Sequence, residues 1–177
     1  LLTLFKNPLL GVMVGALLTA IIQSSAASVG MLQSLSQSGK ITFGTAFPII
    51  LGQNIGTCIT AILSSAGANK NAKRVAAVHL YFNIIGTVLA LTVYYTLDYF
   101  IDFSFKDSAV TGFSIALVHT IFNIGTTLLL LPFTNLLEKL AYLTIRDEVK
   151  DDRESPVLLA DRFLSTPGVA IEQCRNL

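Results

Sequence analysis

Between Asn7 and Gly39 the sequence holds no charged side chain, yet Gln23-Ser24-Ser25 interrupts this apolar run near its middle. In hydrocarbon every polar group must find a partner inside the protein, because no water is there to supply one. A Gln-Ser-Ser cluster at membrane depth therefore marks one of two things: a packing seam between helices, or a site lined by protein and water. Serine and threonine are common glue between membrane helices. A second polar break, Gly52-Gln53-Asn54-Ile55-Gly56-Thr57, lies about thirty residues on and tips the reading toward a site.

The rest of the composition agrees with a membrane chain. Of 177 residues, 53% are hydrophobic and 13% charged, with a mean hydropathy of +0.67. An ordinary soluble domain carries about twice that charge. The charges are also segregated. Residues 1–137 carry nine, namely Lys6, Lys40, Lys70, Lys73, Arg74, Asp98, Asp102, Lys106 and Asp107, and the remaining fourteen follow in 138–177. No basic patch points to nucleic acid. Cys58 and Cys174 suit neither a disulfide nor a metal site. The chain starts with Leu and reads as a piece of a longer protein.

Four segments follow in order. A single tilted span needs about 20 residues, and residues 8–38 exceed that. A re-entrant hairpin of two half-helices, with Gln23-Ser24-Ser25 at its tip, uses the length better. Its tip would present backbone N–H groups at a helix N-terminus, a natural anion site. Residues 41–66 hold Pro48 inside the apolar run, and Gly52 and Gly56 bracket Gln53-Asn54. That pattern predicts a broken transmembrane helix, with a simple proline kink as the alternative. Residues 75–97 and 113–137 predict two further spans, the second ended by Glu138-Lys139. The fold class expected is an all-α membrane protein.

Orientation rests on the 66–74 loop, where Lys70, Lys73 and Arg74 stand without an acid, which predicts a cytoplasmic side. Loop 98–112 is then outside and the C-terminus cytoplasmic. An internal repeat pairs the two later spans. His79, Asn83 and Thr87 recur forty residues on as His119, Asn123 and Thr127. At i, i+4 and i+8 each trio shares one helix face, so these faces support the site or form a hydrogen-bonded seam. Two histidines on separate helices are too few for a metal other than sodium. Residues 138–177 differ in kind, with a dense mixed-charge stretch, a Ser155-Pro156 break, and a helix start at Thr166-Pro167.

Gln23-Ser24-Ser25-Ala26 followed by Gly52-Gln53-Asn54-Ile55-Gly56-Thr57 resembles the second half of a sodium–phosphate cotransporter. The relatives are the type II sodium-dependent phosphate cotransporters and their bacterial homologues. The resemblance covers roughly residues 7–135. Phe163-Leu164-Ser165-Thr166-Pro167 resembles the lead into the PhoU-like domain of the bacterial members. The family motif is commonly Gln-Ser-Ser-Ser, whereas Ala26 stands here in the fourth place.

The resemblance implies one half of an inverted-repeat transporter whose site needs the upstream repeat or a second copy. Phosphate then meets the donors of Gln23, Ser24, Ser25 and the tip backbone. Sodium, a hard cation, meets the oxygens of Gln53, Asn54 and Thr57. The partners expected are inorganic phosphate, sodium and the lipid bilayer, with no nucleic acid and no cofactor beyond sodium as coupling ion. The place expected is the plasma membrane, a bacterial inner membrane, as a multi-pass protein. The alternative is a membrane anchor or regulatory module presenting a cytoplasmic PhoU-like domain. No pairing of nucleophile, base and acid suggests an enzyme.

Cysteine labelling checks the orientation in intact cells that express the full-length protein with Cys58 and Cys174 replaced by alanine. An impermeant maleimide added outside should reach Ser104→Cys and not Asn71→Cys. The reverse pattern inverts the topology.

Overall fold

The structure, a computed structural model, describes residues 7–146. Six α-helices follow in order: α1 Pro8–Ile22, α2 Ser25–Ser36, α3 Phe43–Ser65, α4 Lys70–Ile101, α5 Gly112–Leu130 and α6 Thr134–Thr144. Three helical stretches are long and apolar enough to cross a membrane: Phe43–Ser65, Lys70–Ile101 and Gly112–Thr144. This is the make-up of an all-α membrane protein.

The hairpin is present. Pro8 opens α1 behind the Asn7 cap, whose side chain accepts from the Leu9 N–H at 2.9 Å. The arms hold 15 and 12 residues. At about 1.5 Å per residue they reach about 22 and 18 Å, short of a hydrocarbon core of about 30 Å.

The broken helix expected over 41–66 is absent. Phe43–Ser65 is one continuous α-helix of 23 residues, with Pro48 inside it. Pro48 lies in the second turn, so its missing N–H costs a single donor, to the Gly44 carbonyl. Gly52 and Gly56 do not open the backbone either. Each marks a point where α1 comes close. A Cβ on Gly52 would run into the Val12 carbonyl, and one on Gly56 into the Ala16 carbonyl and, at 2.7 Å, the Thr19 Cβ. The fit is reciprocal. A Cβ on Gly15 would strike the Ile49 carbonyl, and one on Gly11 would lie 2.9 Å from the Pro48 Cβ. The two helices thus interlock backbone to backbone through small residues four apart, and α1–α3 is the most extensive helix contact among the described residues.

The later elements run past their expected ends. The helix expected over 75–97 spans Lys70–Ile101, so Lys70, Lys73 and Arg74 sit in its first turns, not in a loop. Asn69 caps it, accepting from the Ala72 N–H at 2.9 Å. The helix expected to stop at 137 instead bends through a 3-10 turn at Leu131–Phe133, around Pro132, and continues as α6 to Thr144. Glu138 and Lys139 do not end it because they lie on the exposed face, while Leu137 and Ala141, four apart, are buried.

Two ties define the ends of the bundle. At one end, a lone bridge pairs Thr42 with Ala109, joining the base of the hairpin to the α4–α5 loop. From that loop, Lys106 Nζ lies 2.7 Å from Asp102 and 3.2 Å from Asp98 in the last turn of α4. The ammonium holds the Asp102 carboxyl below its usual range, and the two carboxylates hold Lys106 above its own. At the other end, the Arg74 guanidinium donates through Nε and Nη2 to the Ile145 carbonyl at 3.1 and 3.0 Å and lies 4.0 Å over the Tyr142 ring. The expectations for residues 147–177 lie outside the described residues.

Adding a methyl at the crossing should be costly. Gly52→Ala in the full-length protein should lose about 1–3 kcal/mol, the usual cost of overpacking. Gly30→Ala, whose Cβ meets nothing within 4 Å in this chain, should be neutral. Thermal unfolding of the two purified variants checks the difference.

Candidate binding site at the hairpin tip

The tip is a two-residue reversal. Gln23 ends α1 in the left-handed region at φ 59°, ψ 22°, with its N–H donating to the Thr19 carbonyl at 2.7 Å. Left-handed backbone costs a non-glycine residue about 1–2 kcal/mol. Ser24 is extended and caps α2, its hydroxyl accepting from the Ala27 N–H at 3.3 Å. The N–H groups of Ser25 and Ala26 begin α2 and have no carbonyl one turn back to receive them. Gln23 is exposed and Ser24 and Ser25 are half-buried, so the predicted phosphate trio is together and reachable.

The predicted sodium residues lie on α3, and two of the three are deeply covered. Gln53 is fully buried and donates from Nε2 to the Ser28 carbonyl of α2 at 3.0 Å. A carbonyl can only accept, so this bond fixes which end of the amide is which. The other end, Oε1, is buried and lacks a hydrogen-bond partner, a state shared among the described residues only by the Tyr94 hydroxyl. Asn54 donates from Nδ2 to the Ile50 carbonyl at 3.0 Å, and its Oδ1 accepts from Asn123 Nδ2 at 3.1 Å. Half-buried Thr57 donates to the Gln53 carbonyl at 2.9 Å. Each side-chain oxygen therefore keeps at least one lone pair.

The two repeated polar faces meet α3 through Asn83 and Thr87 on α4 and through Asn123 on α5, whereas Thr127 is exposed and bonds only to the Asn123 carbonyl of its own helix. Asn83 donates to the His79 carbonyl at 3.0 Å and to Cys58 Sγ at 3.4 Å. Thr87 reaches the Leu51 carbonyl at 3.5 Å. On α5, Asn123 donates to the His119 carbonyl at 2.7 Å as well as to Asn54. His79 and His119 are half-buried beside them. No group of three His, Cys, Asp or Glu side chains that could hold a metal occurs among the described residues.

Sequence reasoning assigned no role to Thr19 and Ser28, both fully buried, whose hydroxyls meet at 2.8 Å between the hairpin arms. A signal existed: Gly11, Gly15 and Thr19 lie four apart on one stripe of α1, and two of them are small residues suited to a crossing.

An uncharged polar tip set against a helix with a buried amide oxygen is the geometry on which the comparisons bear. Residues 1–117 match the Na+/Pi-cotransporter family. The chain belongs to that family. The Bacillus subtilis protein YqeW is 38% identical over 75% of this chain and 42% of its own length. The Escherichia coli K12 protein named putative inorganic phosphate export protein YjbB is 30% identical over 92% of the chain and 30% of its own length. The human sodium-dependent phosphate transport protein 2B is 37% identical over 51% of the chain and 14% of its own length. The cotransporter-family chain thus spans less than half the length of these relatives. No solved structure matches it significantly.

The left-handed residue at the tip gives a test. Gln23→Gly in the full-length protein should hold stability or raise it by up to about 1 kcal/mol, since glycine takes this backbone without strain. A loss in thermal unfolding larger than that would show that the Gln23 side chain, and not the shape of the turn, holds the tip together.

Proposed function

We propose that the full-length protein carries inorganic phosphate across the plasma membrane in company with sodium, and that this chain supplies one repeat of the binding site. The observation that carries the reading is Gln53. It is fully buried, fastened to the hairpin through Nε2, and holds an unpartnered carbonyl oxygen midway along a helix long and apolar enough to cross a membrane. Such an oxygen is costly in hydrocarbon until something positive or donating meets it, and a sodium ion prefers this kind of ligand. Membership of the cotransporter family and relatives named for phosphate transport support the same reading.

In this proposal the hairpin is re-entrant, because neither arm is long enough to cross alone, and its tip stops inside the bilayer. Phosphate takes the N–H donors at the start of α2 with Gln23, Ser24 and Ser25. Sodium takes oxygens from Gln53, Asn54 and Thr57, while His79, Asn83, His119 and Asn123 hold α4 and α5 to the site. The upstream repeat, or a second copy of the chain, completes it as the other half of an inverted pair. No fixed positive charge lies among these residues, so the anion binds well chiefly when cations arrive with it. The α3–α4 turn faces the cytoplasm, as does the chain end, and residues 138–177, which begin within α6, lead into a PhoU-like domain.

The test is uptake by the full-length protein in sealed vesicles over a grid of sodium and phosphate concentrations. Wild type should accumulate phosphate only with sodium. Ser25→Ala should weaken apparent phosphate affinity about ten- to a hundredfold, the loss of a hydrogen bond to a charged group. Asn54→Ala should act mainly on apparent sodium affinity, with some effect on phosphate through linkage. A well-folded wild-type protein that takes up no phosphate would favour the membrane-anchor reading. Mutants with wild-type dependence on both ions would remove these residues from the site.

A further inference from the structure

We infer that Thr19 and Ser28 form a lock that positions the hairpin tip for binding; the inference rests on the transport reading only for its consequence in uptake. Four bonds make the chain of support. The Gln23 N–H hangs on the Thr19 carbonyl at 2.7 Å, and the Ser28 N–H on the Ser24 carbonyl at 3.0 Å. Thr19 Oγ1 donates to Ser28 Oγ at 2.8 Å across the two arms. Gln53 Nε2 donates to the Ser28 carbonyl at 3.0 Å, tying the pair to α3. The two residues of the reversal are therefore each suspended, one helical turn away, from one member of a buried hydroxyl pair.

Thr19, Ser28 and Gln53 are all fully buried. A hydrogen bond between them meets no competition from water, and breaking it leaves a hydroxyl unpaired. Their placement also explains how an unfavourable backbone persists at the tip. A left-handed Gln23 survives only where its surroundings determine it, and here the lock fixes both flanking turns. The Thr19 Cβ packs where a Cβ on Gly56 would fall, so the same residue seats α1 on α3 and α1 on α2. Neither residue reaches the exposed side of the tip, so both act through Gln23, Ser24 and Ser25, as positioning residues.

The test uses the full-length protein with Thr19→Val, which removes the hydroxyl at nearly constant volume, and Thr19→Ser, which restores it. Two readouts are taken. In hydrogen–deuterium exchange, amides of residues 23–28 should exchange about three- to tenfold faster in Thr19→Val, with α4 unchanged and Thr19→Ser at the wild-type rate. In uptake, the apparent KM for phosphate should rise by a similar factor with Vmax held. Exchange does not depend on what is transported, so a protein without sodium-driven uptake would sink the functional reading and leave the lock to be decided by exchange. Unchanged exchange at the tip, or faster exchange spread evenly over the chain, overturns the lock. A raised KM that Thr19→Ser does not correct overturns the role of the hydroxyl.

Discussion

The crossing of α1 and α3 is the contact on which the other arrangements depend. Membrane helices gain little from hiding apolar surface, because lipid is as apolar as leucine. Their attraction comes from close packing and from polar groups that need partners. Gly11 and Gly15 on one helix and Gly52 and Gly56 on the other remove the side chains that would hold the backbones apart. Only at that separation does Gln53, the next residue after Gly52, reach the Ser28 carbonyl on α2. The hairpin is thus seated on α3 by shape and fastened by a single amide.

Around that crossing, polar groups are paired inward and apolar ones left outward. Asn83, Thr87 and Asn123 direct their bonds to α3, while Leu9, Met13, Leu17 and Ile21 expose the far side of α1. In water such an exposed stripe would be a liability; against lipid or an apolar partner it carries no penalty. Asn83 and Thr87 on α4 and Asn123 on α5 make a seam in which α3 is the common partner, while Thr127 is exposed and donates to the Asn123 carbonyl of its own helix. Asn123 also holds Asn54 in place from the α5 side, so the helix with the unpartnered Gln53 oxygen is braced from three directions.

The two ends of the bundle are closed by different chemistry. Near the hairpin base, Lys106 ties Asp98 at the end of α4 to Asp102 in the following loop, which pairs with the start of α3. At the opposite end, Arg74 binds the Ile145 carbonyl and stacks on Tyr142. A guanidinium at the C-terminal end of α6 also meets the negative end of that helix dipole. The hairpin base and the last residues of α6 consequently lie at opposite ends of the bundle, and the tip lies between them.

The helical class, the hairpin and the place of its turn were all legible in the sequence. Apolar runs without charge admit only helices in a bilayer, and Gln23-Ser24-Ser25 was the single polar interruption able to cap one helix and start the next. The sequence also foretold the shared faces of His79, Asn83 and Thr87, because spacing of four is a local property. It misled at Gly52 and Gly56, where a helix break and a close crossing leave the same residues in the sequence. Only the presence of α1 alongside distinguishes them. It misled again at Glu138-Lys139, where charges on an exposed helix face look like a stop. Which polar group meets which was set by the packing alone: Thr19 with Ser28, Gln53 with the Ser28 carbonyl, Asn54 with Asn123. Those pairings join residues up to 69 positions apart, and a hydrogen bond acts over about 3 Å, so they exist only once the packing of the helices has set the distances.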